Sequence, residues 1–105
     1  MHAMATESDI REALRLVLDP EIGVNIVDLG LVYRIETNGA TAHVAMTMTS
    51  PACPLADYIK DQVISAVLEQ VAGITDVQVV VEWDPPWDPE MMSDDAKREL
   101  DEGER

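Results

Sequence analysis

Phenylalanine is absent from this sequence, and only four aromatic side chains are present: Tyr33, Tyr58, Trp83 and Trp87. The core must therefore be assembled from Val, Ile, Leu, Met and Ala, and few planar surfaces remain on which nucleobases can stack. Basic residues are also scarce, with seven Lys and Arg against 21 Asp and Glu and a formal charge of −14. That field repels phosphate, so neither nucleic acid nor an anionic membrane surface is an expected partner. Cysteine occurs once, at position 53, which excludes an intramolecular disulfide and a CxxC metal knot. No apolar run approaches the roughly 20 residues that a membrane helix needs. The first thirty or so residues hold no basic-then-apolar stretch of the secretory kind, so a cytoplasmic setting is expected.

What is present is enough for one domain. A chain of 105 residues that is 47% hydrophobic can bury one modest core. Residues 6–100 are expected to form that domain, and residues 101–105 a disordered acidic tail. The acids are unevenly spread: residues 82–105 hold ten of them against three bases, the composition of a solvated face.

The periodicities predict an α-β-β-α-β-α order, an α/β chain of two-layer α+β type. Ile10, Ala13, Leu14, Val17 and Leu18 form one helical stripe over residues 6–18, with Thr6 or Ser8 as cap and Asp19-Pro20 as stop. Residues 20–30 form a loop that is unusually apolar for its length, which implies that it packs over something. Asn38-Gly39 predicts a type I′ turn within a hairpin over residues 31–49. With that pair at the tip, Leu31 faces Met46, Tyr33 faces Val44, Ile35 faces Ala42, and Asp28 lies opposite Thr49. A second helix is expected from Pro54 to Val71, burying Ile59, Val63, Ala66 and Val67 and ending near Gly73. Residues 76–82 read as a strand parallel to residues 42–49, with Val77, Val79 and Val81 inward. Trp83 to Pro89 is a stiff packing segment, and Ser93 caps a final helix to about Leu100. Helices packed on a three-stranded mixed sheet follow.

Chemistry concentrates on Thr47-Met-Thr-Ser-Pro-Ala-Cys-Pro54, which joins a strand to a helix. Pro54 suits a first helical position, making Cys53 the expected N-cap, where free N–H groups and the helix dipole stabilise a thiolate. A buried, inert cysteine is the ordinary alternative. The expected proximity of Asp28, Thr47 and Thr49 favours a working one. A cysteine–histidine catalytic pair is not expected, because His43, the one plausible base, lies toward the turn end of the hairpin. Asp19, Glu21 and Asp28 lack the spacing of a calcium loop.

Three stretches, Asp19 to Tyr33, Thr47 to Pro54 and Val81 to Trp87 followed by Met92-Ser93, together resemble the iron–sulfur cluster assembly family typified by SufT and by the front domain of PaaD. The resemblance spans residues 8–100. It implies a non-enzymatic role in iron–sulfur protein maturation, with a site at Asp19, Glu21, Asp28, Thr47 and Thr49 and with Cys53 as the metal-binding residue. The cysteine-rich C-terminal segment of the PaaD branch has no counterpart here. That favours the SufT-like branch, while an accessory role for an oxygenase complex stays open. A cluster usually takes four protein ligands, mostly thiolates, and this chain offers one. Either two chains of a homodimer share a transient cluster, or Cys53 completes a site on a scaffold or client apo-protein. An adaptor that docks scaffold to client without touching the cluster is the alternative.

Overall fold

The computed structural model describes residues 6–49 and 55–103. The elements are α1 (Glu7–Leu14), β1 (Val32–Asn38), β2 (Thr41–Met46), α2 (Ala56–Gln70), β3 (Asp76–Val81) and α3 (Asp94–Gly103), with a 3₁₀ turn at Pro89–Met91 before the last helix. This is the expected α-β-β-α-β-α order. The sheet runs β1-β2-β3, with β1 antiparallel and β3 parallel to β2.

Helix α1 starts where its cap requires. The Thr6 hydroxyl accepts from the Asp9 N–H and the Asp9 carboxylate accepts from the Thr6 N–H, a reciprocal capping box. The helix ends at Leu14 rather than Leu18. Three tighter i→i−3 bonds carry the chain on to Val17, after which it folds back on itself. Asp19 N–H donates to Val24 and Ile26 N–H donates to Val17, and Leu18 bridges Asn25. Leu18 consequently leaves the predicted stripe and is exposed, while Ile10, Ala13, Leu14 and Val17 are buried.

The hairpin keeps its buried face but not its predicted register. Asn38 pairs with Thr41 and Ile35 with Val44, so the two-residue loop is Gly39-Ala40. A type I′ turn needs positive φ at both central residues. Only Gly39 has it (φ 62), and no non-glycine residue described does; glycine at the first central position is the signature of a type II′ turn. From Arg34 to Thr37 the shift moves each cross-strand partner by two, so Val44 stays in the core and His43 stays out of it. A second departure is an irregularity between Val32 and Arg34, which leaves Tyr33 as an extra residue. Tyr33 does not face Val44. Its hydroxyl donates to the Pro85 carbonyl at 2.7 Å.

Helix α2 begins at Ala56, with Leu55 as the preceding residue and no side-chain cap, so it starts later than the predicted Pro54. Cys53, expected as its N-cap, lies outside the described residues. Ile59, Val63 and Val67 are fully buried, whereas Ala66 is half-buried and Leu68 exposed. In β3, Val77 pairs with Ala42, Val79 with Val44 and Val81 with Met46, all on the core side. The Ser93 hydroxyl accepts from the Ala96 N–H and caps α3, which reaches Gly103, three residues past the expected end. The core is aliphatic, centred on Ile10, Leu14, Ile26, Leu29, Leu31, Met46, Met48 and Ile59.

Candidate functional site

Apart from Cys53, the site expected from the sequence falls on two adjoining stretches: the 17–31 loop and residues 47–49, which follow β2. They are joined where the Thr47 N–H donates to the Leu31 carbonyl at 2.8 Å. The loop is held from above by the segment following β3. That segment starts at Glu82, whose carboxylate pairs with Arg34 of β1 at 2.6 Å. Since β2 lies between β1 and β3, the ion pair bridges across Ala45, which explains why this alanine on the outer face is buried. The chain then passes Tyr33 and reaches the loop. Trp87 Nε1 donates to the Leu29 carbonyl at 2.7 Å, and the Ser93 N–H donates to the Asp28 carbonyl at 2.7 Å. Gly30 (φ 81) lies directly beneath Met91. This strap makes the apolar loop an internal layer, which accounts for its composition.

Asp19 is buried, at 2% exposure, and its carboxylate is occupied. Oδ1 accepts from the Glu21 N–H at 2.9 Å and the Ile22 N–H at 3.3 Å, while its carbonyl accepts from Ile22 and Gly23. Asp19 therefore builds the turn. Glu21 sits exposed on that turn and has an interaction of its own.

Asp28 is a junction. Its Oδ2 accepts from Asn25 Nδ2 at 2.7 Å and its Oδ1 from Arg15 at 2.9 Å, and Asn25 in turn accepts from the Asp28 N–H. The Asn25 amide, followed by the Arg15 guanidinium, holds the Asp28 carboxyl below the ordinary carboxylate range against the opposing effect of burial. Arg15 is correspondingly raised by Glu12 and Asp28. The register that would set Asp28 opposite Thr49 is not formed, and Asp28 instead ties the end of α1 to the loop and, through its carbonyl, to Ser93.

Thr47 differs from these carboxylates. It is fully buried, and among the described residues its Oγ1 is the buried side-chain oxygen or nitrogen without a hydrogen-bond partner. Thr49 is half-buried at the end of the same stretch, and Cys53 lies outside the described residues. Among the described residues no group of three or more His, Cys, Asp or Glu is gathered as metal ligands. With one cysteine in the sequence and Asp19 and Asp28 bound into the fold, the donor set of one chain does not fit a resident cluster.

Sequence reasoning missed Arg15, Asn25, Gly30 and the strap's anchors. Asn25 had a signal in its three-residue spacing from Asp28. Arg15 had none, because its link to Asp28 spans 13 residues.

A family model described as "Iron-sulfur cluster assembly protein" matches residues 7–81. The chain is 43% identical over 98 residues to an Fe-S protein maturation auxiliary factor of Porphyromonas gingivalis, covering 92% of each. It is 44% identical over 94 residues to the Fe-S protein maturation auxiliary factor YitW of Bacillus subtilis, covering 89% of this chain and 91% of that one. Among solved structures, a domain of unknown function from Bacillus anthracis superposes with a TM-score of 0.88 at 41% identity, covering 90% of this chain and 91% of the other.

Proposed function

Because the chain belongs to the iron–sulfur cluster assembly protein family, we propose that it helps mature iron–sulfur proteins as an auxiliary factor, using Cys53 to engage a cluster only in passing. The cluster is cargo. It is handed between a scaffold and client apo-proteins in the cytoplasm, or held briefly between two copies of the chain. The protein acts by delivery and not as an enzyme.

Thr47 carries the reading. A buried hydroxyl without a partner costs about 1–3 kcal/mol, and folded proteins satisfy nearly all such groups. This one lies on the stretch leading to Cys53, six positions before it. A hydroxyl there can donate to a thiolate or to a cluster sulfide, and such a bond favours the charged sulfur. Asp19, Glu21 and Asp28 serve the same end indirectly, by shaping the loop against which Thr47 packs.

The test is complementation of a strain lacking the protein. Cys53→Ala should leave the activity of iron–sulfur enzymes low while enzymes without clusters are spared. Thr47→Val, nearly isosteric, should raise stability by about 1 kcal/mol yet impair maturation. Full rescue by Cys53→Ala would overturn the thiol mechanism and leave an adaptor that docks scaffold to client. Normal iron–sulfur enzymes in the deletion strain would overturn both.

A further inference from the structure

Away from the loop and strap, α1 and α2 leave two hollows on their shared surface, of about 450 and about 170 Å³. Leu16 borders both and is 63% exposed, so a large apolar side chain forms an uncovered ridge between two recesses. Val71 lines the larger recess and Ala66 the smaller, giving each an apolar wall. The rim has one sign. Asp9 and Glu12 border the larger hollow and Glu69 the smaller, and no Lys, Arg or His lines either among the described residues. Arg15 offsets the rim only in part, because its one charge is shared between Glu12 and Asp28, which leaves Asp9 and Glu69 to set its sign. The C-terminal end of α2, which lies here, adds its own partial negative charge and has no basic residue in its last turn.

We infer that this groove is a docking site for a cationic amphipathic helix of a partner protein, with apolar side chains set on either side of Leu16 and Lys or Arg along the acidic rim. Two recesses beside one ridge suit two apolar anchors on one face of a helix. Charge selects the occupant. A second copy would bring another −14 against an acidic rim and be repelled, whereas a basic helix is attracted and oriented. The inference stands independently of Cys53 and of the cluster reading, since it uses neither.

The experiment titrates the full ¹⁵N-labelled chain with a synthetic helical peptide bearing leucine on one face and lysine on the other. The control is the same peptide with glutamate in place of lysine. The lysine peptide should shift resonances of residues 9–16 and 62–72, and the glutamate peptide should not. Leu16→Asp, at an exposed position that the fold does not need, should weaken binding about tenfold. Glu69→Lys should weaken it about threefold at low salt and less at high salt. Shifts centred on the acidic α3, or binding unaffected by Leu16→Asp, would overturn the assignment. So would a self-associated free protein that Leu16→Asp converts to monomer, since a second copy would then be the occupant.

Discussion

Gly30 carries two constraints at once. Its φ of 81° lies where an L side chain is strained, and an added Cβ would stand 2.8 Å from the Met91 Cβ with the Met91 carbonyl still nearer. Gly23 shares the first constraint (φ 83) but has open space around it. Urea unfolding should therefore separate the two: Gly23→Ala should cost about 1 kcal/mol and Gly30→Ala about 2–4 kcal/mol. Equal losses would show that the strap does not press on Gly30. Asp28 allows a pH test. Its folded carboxyl is held down chiefly by the Asn25 hydrogen bond. Its contribution is thus complete above the unfolded value of about 3.9 and is lost as pH falls through the lower folded value. The stability gap between the native chain and Asp28→Asn should be constant near neutral pH and shrink below about pH 4; a gap that widens on acidification would contradict this. The importance of Asp28 was legible from its motif. Its role as a junction was not, because Arg15 and Ser93 meet it only through the folded chain.

At the scale of elements, the strap depends on one indole. Leu29 is fully buried, and Trp87→Phe would leave its carbonyl without the Nε1 donor at a cost of about 1–2 kcal/mol. Amide exchange at Leu29, Gly30 and Leu31, whose N–H groups bond within the loop, should quicken while the β2–β3 ladder keeps its protection. Uniform change in both would mean that the strap is not a separate latch. The sequence pattern already showed that the 20–30 segment had to be covered, and alternation showed which face of β2 and β3 was buried. It misjudged the hairpin because Asn38-Gly39 offers a turn that the strands do not use: pairing extends through Asn38 to Thr41. The extra residue at Tyr33 was invisible for a related reason, since the partner of its hydroxyl is Pro85, 52 residues away. Helix α1 was overextended because apolar spacing cannot distinguish a fourth turn from the fold-back that pairs Val17 and Asp19 with Ile26 and Val24.

For the molecule as a whole, a charge of −14 on 105 residues is spread over a fold whose ion pairs are mostly exposed. Exposed pairs contribute little, whereas the excess of like charge opposes compaction. Added salt shortens the screening length from roughly 30 Å at 0.01 M to roughly 3 Å at 1 M. The melting temperature should rise across that range, and a flat or falling profile would mean that the pairs outweigh the repulsion. The strap also sets an order in time. Trp87 and the Leu29 carbonyl it secures are 58 residues apart, which at a synthesis rate of roughly 5–20 residues per second is about 3–12 s of translation. Throughout that interval a nascent chain already holds Asp19, Asp28 and Leu29 but lacks the segment that fastens them. The loop beside Thr47 is thus fastened only after α1, the sheet and α2, on which it rests, have been synthesised.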